Sequence, residues 1–207
     1  MSTKRSPKLN LVVAVCNNGG IGKDGQLPWR LKKDMEFFKK ITTQTKDNGK
    51  QNAVVMGRKT WLSIPEKFRP LANRINIILS TTIDPFDGVY VAKSLDEAIT
   101  MVTGNGVLAD KVEGVHIIGG SSVYKAALES DFACRIYLTR VLAEFDCDTF
   151  LPEFNQNVFK KIDKDGDLHC DILFDFPYPL SKLTVHSTKG KKKPSKSKGH
   201  MQNPEVD

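Results

Sequence analysis

Alternation along the chain predicts an α/β fold: one domain with a mostly parallel central β-sheet of about eight strands, flanked by about four helices and closed by a C-terminal antiparallel hairpin. Three observations carry that prediction. Short runs rich in Val, Ile and Leu recur, and several are apolar on both faces, as strands covered by helices on both sides are. Helix-like segments fall between those runs. Glycine-marked junctions separate strand from helix twice, where a parallel sheet feeds its crossovers.

Taken in order, Leu9–Val15 (LNLVVAV) is the first predicted strand. Leu31–Thr43 follows as an amphipathic helix, then a strand over Asn52–Met56 and a short helix over Arg58–Ser63. Ile75–Leu79 and Val89–Ala92 read as strands. Ser94 precedes a helix over Leu95–Val102, with Glu97 three residues on, the pattern of a capping box. A strand over Val115–Ile118, a helix over Ser122–Leu128 and a strand over Arg135–Val141 complete the alternation. Leu168–Phe176 and Leu180–His186 read as the closing hairpin around FPYP, where Pro177 and Pro179 confine the chain to a turn or an edge. The domain is therefore expected over residues 9–186, with a flexible basic N-terminus at 1–8 and a disordered Lys-rich tail at 187–207.

Charge supports that division. The chain carries +7, but residues 1–10 hold +3 of it and residues 187–207 hold +4, which leaves 11–186 neutral. The absence of a basic face argues against a folded nucleic-acid-binding domain and leaves only weak, salt-sensitive tail contacts to polyanions. Cys16, Cys134, Cys147 and Cys170 show no CxxC spacing and do not cluster with His116, His169, His186 or His200, so neither a disulfide framework nor a metal site is expected. The charged N-terminus MSTKRSPK lacks the apolar core of a secretory leader, and no run reaches the roughly 18 apolar residues of a membrane span. A cytoplasmic location with free thiols is the expectation.

One residue breaks the first helix. At about 100° per residue, Leu31, Met35, Phe38 and Thr42 share an arc, with Ile41 beside them. Asp34 falls inside that arc, while Lys32, Lys33, Glu36, Lys39 and Lys40 lie opposite. An acid in a first turn is favoured by the helix dipole, which is one reading. The other is a carboxylate at the floor of an apolar pocket, placed for a polar ligand.

Gly20-Ile21-Gly22-Lys23-Asp24-Gly25 matches GxGxxG after a strand, yet Gln26, Leu27 and Pro28 follow it. A dinucleotide fingerprint opens directly into a helix, and Pro28 prevents that here. A mobile loop covering a site fits better. Two other junctions suit phosphate. Gly57-Arg58-Lys59-Thr60 follows a strand with two cations and a hydroxyl, and Gly119-Gly120-Ser121-Ser122 follows another into a helix expected to be capped by serines. Each offers free backbone N–H groups at a positive dipole end. Ser80, Thr81, Thr82 and Lys93 end two further strands, where open α/β sheets bind ligands. Arg74 reads either as a surface arginine or as a bidentate clamp on a carboxylate. Trp29 and Trp61 read first as core, Trp61 firmly so.

Together, Leu27-Pro28-Trp29 followed five residues later by Asp34, the Gly57–Pro65 run GRKTWLSIP, the Arg69–Arg74 run RPLANR and the Ile117–Tyr124 run IIGGSSVY resemble dihydrofolate reductase. The match runs in order from about Leu9 to about Thr149. The resemblance implies NADPH-dependent reduction of 7,8-dihydrofolate to tetrahydrofolate, serving one-carbon metabolism and thymidylate and purine synthesis, in a monomer that is a target of antifolate inhibitors. It implies a catalytic group of Asp34, Thr139, Leu27 and Trp29. Asp34 would hold the pterin, supported by Thr139. It implies substrate contacts from Val12, Val13, Ala14, Met35, Phe38, Ile64, Pro65, Phe68, Leu71, Ile118 and Tyr124, with Arg74 on the glutamate α-carboxylate. It implies cofactor contacts from Ala14, Ile21, Gly22, Gly25, Gln26, Leu27, Gly57, Arg58, Lys59, Thr60, Leu79, Ser80, Thr81 and Lys93. Ile118, Gly119, Gly120, Ser121, Ser122, Val123 and Tyr124 complete that set, with a cis bond between Gly119 and Gly120.

Departures bear on selectivity. Asp34 stands where animal members usually carry Glu, Met35 where they carry Phe, Phe68 where they often carry Asn, and Thr81 at the usual Arg contact for the 2′-phosphate. Arg58, Lys93 and Ser80 are left to read that phosphate. Two alternatives are weighed against this reading. One is a basic-tailed scaffold on an inactive body, which the competent site residues disfavour. The other is a pyrimidine reductase of riboflavin synthesis, which Arg74 disfavours because that substrate has no glutamate to clamp.

Overall fold

The computed structural model describes residues 7–154, 160–162 and 172–176. An eight-stranded sheet forms its centre. β1 (Leu9–Cys16), β3 (Gln51–Gly57), β4 (Arg74–Leu79), β5 (Val89–Ala92), β6 (Val112–Ile117) and β7 (Cys134–Val141) are joined by β9 (Lys160–Ile162) and β10 (Ile172–Phe176) in the order β5-β4-β3-β6-β1-β7-β10-β9. The first six pair in parallel, and β10 runs antiparallel to both β7 and β9. A separate ribbon pairs β2 (Gly20–Gly22) with β8 (Thr149–Phe150).

Strand alternation divides the core in two. Leu9, Leu11, Val13, Ala53, Val55 and Ile77 point to one face, where α3 (Leu95–Val102) and α4 (Ser121–Glu129) supply Ala98, Ile99, Val123 and Ala127. Val12 and Tyr137 point to the other, against Phe37, Phe38 and Ile41 of α1 (Lys32–Thr43). Val54, Met56 and Ile78 share that second face with Trp61 of α2 (Arg58–Ser63). Burying each such side chain contributes roughly 1.5–3 kcal/mol, so the two faces together favour the three-layer stack over any exposed sheet. Trp61 is core, as expected.

Local chemistry explains most boundaries and corrects several. Ser94 caps α3 by accepting from the Glu97 N–H at 3.1 Å, while the Glu97 carboxylate accepts from the Lys93 N–H at 2.6 Å, one residue earlier than in a standard capping box. No serine caps α4. Its N-cap is Gly120, and the Ser121 hydroxyl donates instead to the Phe150 carbonyl at 2.7 Å. Helix α1 starts at Lys32, with Leu31 outside as N-cap. The buried side of α1 is set by Phe37 and Thr42, whereas Leu31 and Met35 stay exposed because they face a cleft rather than the sheet.

The closing antiparallel hairpin is present as β9 and β10. β10 finds its partners in β7 and β9, so both of its edges are taken by strands that precede it in sequence. The proposed partner at 180–186 and the expected termini at 1–6 and 187–207 lie outside the described residues. No helix among the described residues is long and apolar enough to cross a membrane.

Candidate active site

A cleft of about 2680 Å³ opens over the α1–α2 side of the sheet and runs past the carboxyl ends of β3 and β6 to the N-terminus of α4. Parallel α/β sheets place ligands at those strand ends. Its floor at one end is Asp34, from the first turn of α1. Burial disfavours the charged carboxylate and raises its pKa, and a hydrogen bond with the Thr139 side chain opposes that rise. Thr139 comes from β7, opposite Ala14 of β1. Met35, Phe38, Ile64, Pro65, Phe68 and Leu71 wall the same region. Met35 and Phe68 are among the most exposed apolar side chains of the fold, at 48% and 57%. Exposed apolar residues thus line the same cleft as this acid.

Arg74 lines this cleft too, at the start of β4. Its Nη1 donates to Thr42 Oγ1 at 2.9 Å and its Nε to the Ala72 carbonyl at 3.0 Å. The guanidinium lies 5.9 Å from the Phe38 ring centroid. Burial lowers its pKa, which leaves a guanidinium charged at any ordinary pH. Thr42 is fully buried in α1, and its hydroxyl also donates to the Phe38 carbonyl at 2.7 Å. The fork is therefore fixed by the protein before any ligand arrives.

The other end of the cleft is built from glycines. The Gly57 N–H donates to the Gly119 carbonyl at 2.8 Å, which joins the ends of β3 and β6. The Gly119–Gly120 peptide is cis, and Gly119 has φ 110°. A Cβ added at Gly119 would lie 3.3 Å from the Tyr124 ring, one at Gly57 3.2 Å from Val123, and one at Gly120 3.4 Å from Thr60 Oγ1. The φ of Gly119 favours glycine, and a Cβ at Gly57 would require Val123 to give way. Arg58, Lys59 and Thr60 open α2 beside it, and Ser121 and Ser122 open α4, whose first N–H groups have no intrahelical partner.

Between the two ends runs β1. The Tyr124 hydroxyl donates to the Val12 carbonyl at 2.7 Å, and burial and then the Asp34 charge hold its pKa above the ordinary tyrosine value. Tyr124 is thus a fixed donor backing Gly119 rather than a proton source. Val12, Val13 and Ala14 line the cleft along with Ile118 and Leu79. Trp29 is buried against Phe145, with ring centroids 5.2 Å apart, and its indole N–H finds no hydrogen-bond partner among the described residues.

The GxGxxG segment borders the cleft as a loop. Gly22 ends β2, Asp24 and Gly25 take positive φ, and a Lys23–Gln26 bridge closes the turn. Ile21, Gly25, Gln26 and Leu27 all line the cleft, and Gln26 Nε2 reaches the Ser63 carbonyl across it at 3.5 Å. Three expected contacts do not line it: Ser80, Thr81 and Lys93. The Ser80 hydroxyl accepts from the Thr82 and Ile83 N–H groups and so shapes its own turn.

Sequence reading missed Thr42 as the support of Arg74. It also missed Asp148, whose carboxylate accepts from the Asp24 N–H at 2.8 Å and whose N–H donates to the Gly22 carbonyl at 3.1 Å. Neither has a local signal, since each partner is distant in sequence.

One cleft with an acid floor at one end and glycines beside two helix starts at the other belongs to an α/β oxidoreductase. The chain belongs to the dihydrofolate reductase family, whose model, described as "Dihydrofolate reductase", matches residues 8–175. It is 47% identical over 167 residues to the dihydrofolate reductase of Gallus gallus, covering 79% of this chain and 88% of that one. To that of Schistosoma mansoni it is 51% identical over 158 residues, covering 75% and 84%. The solved structure of Schistosoma mansoni dihydrofolate reductase superposes with a TM-score of 0.73 at 44% identity, covering 83% of this chain and 99% of that chain.

Proposed function

We propose that this chain reduces 7,8-dihydrofolate to tetrahydrofolate with NADPH, as a monomeric cytoplasmic enzyme of one-carbon metabolism open to antifolate inhibitors. The observation that carries the reading is the half-buried Asp34 carboxylate among Met35, Phe38 and Leu71, in one cleft with the Gly57–Gly119–Gly120 seat. A pterin edge has two adjacent N–H donors, which match the two oxygens of Asp34 and offset the cost of its burial. Thr139 orients the carboxylate, and Arg74, held by Thr42, is placed for the substrate's α-carboxylate.

The glycine seat fits a dinucleotide. A side chain at Gly57 would press on Val123, and the first turns of α2 and α4 offer N–H groups to phosphate, with Arg58, Lys59 and Thr60 beside them. When bound there, NADPH supplies the hydride. The protein supplies alignment of the two rings, exclusion of water by the Ile21–Leu27 loop, and charge at Asp34 that raises the basicity of the pterin it holds. Reduction consumes one proton along with the hydride, so turnover is expected to fall as pH rises.

Mixing the full chain with dihydrofolate and NADPH should deplete reduced nicotinamide, and NADH should serve less well. Asp34→Asn should retain NADPH binding and lose about 10²-fold or more of its turnover at neutral pH, with partial recovery as pH falls and solvent protonates the pterin unaided. Near-normal turnover of the variant at pH 7 counts against the role of Asp34. No depletion with the wild-type chain counts against the reaction itself.

A further inference from the structure

We infer that Cys16 and Cys147 are a site of reversible oxidation, closing to an intramolecular disulfide on reaction with a low-molecular-weight disulfide such as oxidised glutathione, and so tying the loop over the cleft to the strand that supports it. Cys16 ends β1 and Cys147 precedes β8. Their sulfurs lie 3.9 Å apart, both as free thiols. A bond of about 2.05 Å requires the sulfurs to approach by about 1.9 Å. Gly20 makes that proximity possible, because a Cβ at Gly20 would overlap the Cys147 side chain.

The two thiols differ in access, and that orders the steps. Cys16 is buried, with its Sγ toward Asn18 Oδ1 at 2.9 Å and the Gly20 carbonyl at 3.3 Å. Cys147 is partly exposed. Its thiolate attacks one sulfur of oxidised glutathione, the glutathione S–S bond breaks, and one glutathione thiolate leaves. Cys16, its proton lost to solvent, then attacks Cys147 Sγ from inside and expels the second glutathione thiolate. Two protein thiols are oxidised, and one oxidised glutathione is reduced to two thiols. Burial and the neighbouring Cys16 hold the Cys147 thiol above its ordinary pKa, so the reaction runs faster at mildly alkaline pH.

The residues on either side of Cys147 give the bond its consequence. Asp146 pairs with Lys23 at 3.2 Å, and Asp148 holds Gly22 and Asp24 through backbone hydrogen bonds. The loop is held on this segment by the short β2–β8 ribbon and by exposed polar contacts, and the latter open readily. A disulfide at Cys147 fixes the same segment to β1. It leaves Asp34, Arg74 and the glycine seat untouched.

The full chain is incubated with oxidised glutathione at pH 8 and mapped by mass spectrometry of its peptides. The expected product has lost two hydrogens, links the Cys16 and Cys147 peptides, and reverts with dithiothreitol. Amide hydrogen exchange across Gly20–Asp24 is expected to slow by about tenfold in that product. Cys147→Ser should leave Cys16 a thiol under the same treatment and show no slowing. Cys16→Ser should stop at a glutathione adduct on Cys147. A lasting adduct on Cys147 of the wild-type chain, or linkage through Cys134 or Cys170 instead, overturns the pairing. An intact Cys16–Cys147 bond with unchanged exchange overturns its effect on the loop.

Discussion

Asp34 and Thr42 are one face of one helix and were unequally legible. Asp34 announces itself because a charge on an apolar arc is costly unless a partner exists, and that cost can be read from the sequence alone. Thr42 lies on the same arc but is small and weakly polar, so nothing in its neighbourhood reveals that its hydroxyl accepts from Arg74, 32 residues away. The fork held by Thr42 sets the orientation of two parallel N–H donors, and orientation is what a carboxylate clamp needs. Thr42→Val should therefore raise KM for dihydrofolate about 3–10-fold with little change in kcat, whereas Arg74→Leu, which removes the charged donor itself, should raise it about 10–100-fold. Steady-state kinetics with dihydrofolate varied decides this. A fall in kcat at constant KM for Thr42→Val would assign Thr42 a general packing role instead.

Elements were legible where their determinants are local. α3 reads straight from its apolar period and from Ser94 with Glu97: the Ser94 side chain caps the helix, and that of Glu97 holds the Lys93 N–H just before it. Removing the Ser94 hydroxyl leaves the Glu97 N–H without its acceptor, so Ser94→Ala should cost about 1 kcal/mol and lower the melting temperature by about 2–4 °C. Thermal denaturation of the two chains checks it, and Ser94→Asp, which keeps an acceptor, should melt close to wild type. β2 and β8 were not legible, because three residues pair with two across most of the chain and neither run has a period to detect. A closing antiparallel hairpin is present as β9 and β10, and the expected partner run at 180–186 lies outside the described residues. Neighbouring runs in sequence suggest each other as partners, but β10 satisfies its two edges with β7 and β9. The expected serine cap of α4 failed because Gly120 at its N-cap leaves Ser121 free to bond Phe150.

For the molecule as a whole, the acid limit of stability follows from which ionisable groups the three layers enclose. His116 lies inside β6, 5% exposed, with its Nδ1 lacking a hydrogen-bond partner among the described residues. Burial first, and then the charge of Arg74, lower its pKa from 6.5 to about 4. The folded chain thus holds His116 neutral where the unfolded chain would protonate it. Above pH 6.5 the group adds no pH dependence, and stability is lost as pH falls from there toward 4, at about 1.4 kcal/mol per pH unit and about 3 kcal/mol in all. Asp34 works in the opposite sense, since its raised pKa means that burial is least costly once the carboxyl is protonated. Comparing wild type with His116→Phe isolates the histidine, because the ring keeps similar size and Asp34 is common to both. Urea unfolding at pH 7 and again at pH 4.5 should show the gap between the two pH values narrowing by about 2–3 kcal/mol in the variant. An equal loss in both chains would place the acid limit on surface carboxylates instead of on the buried imidazole.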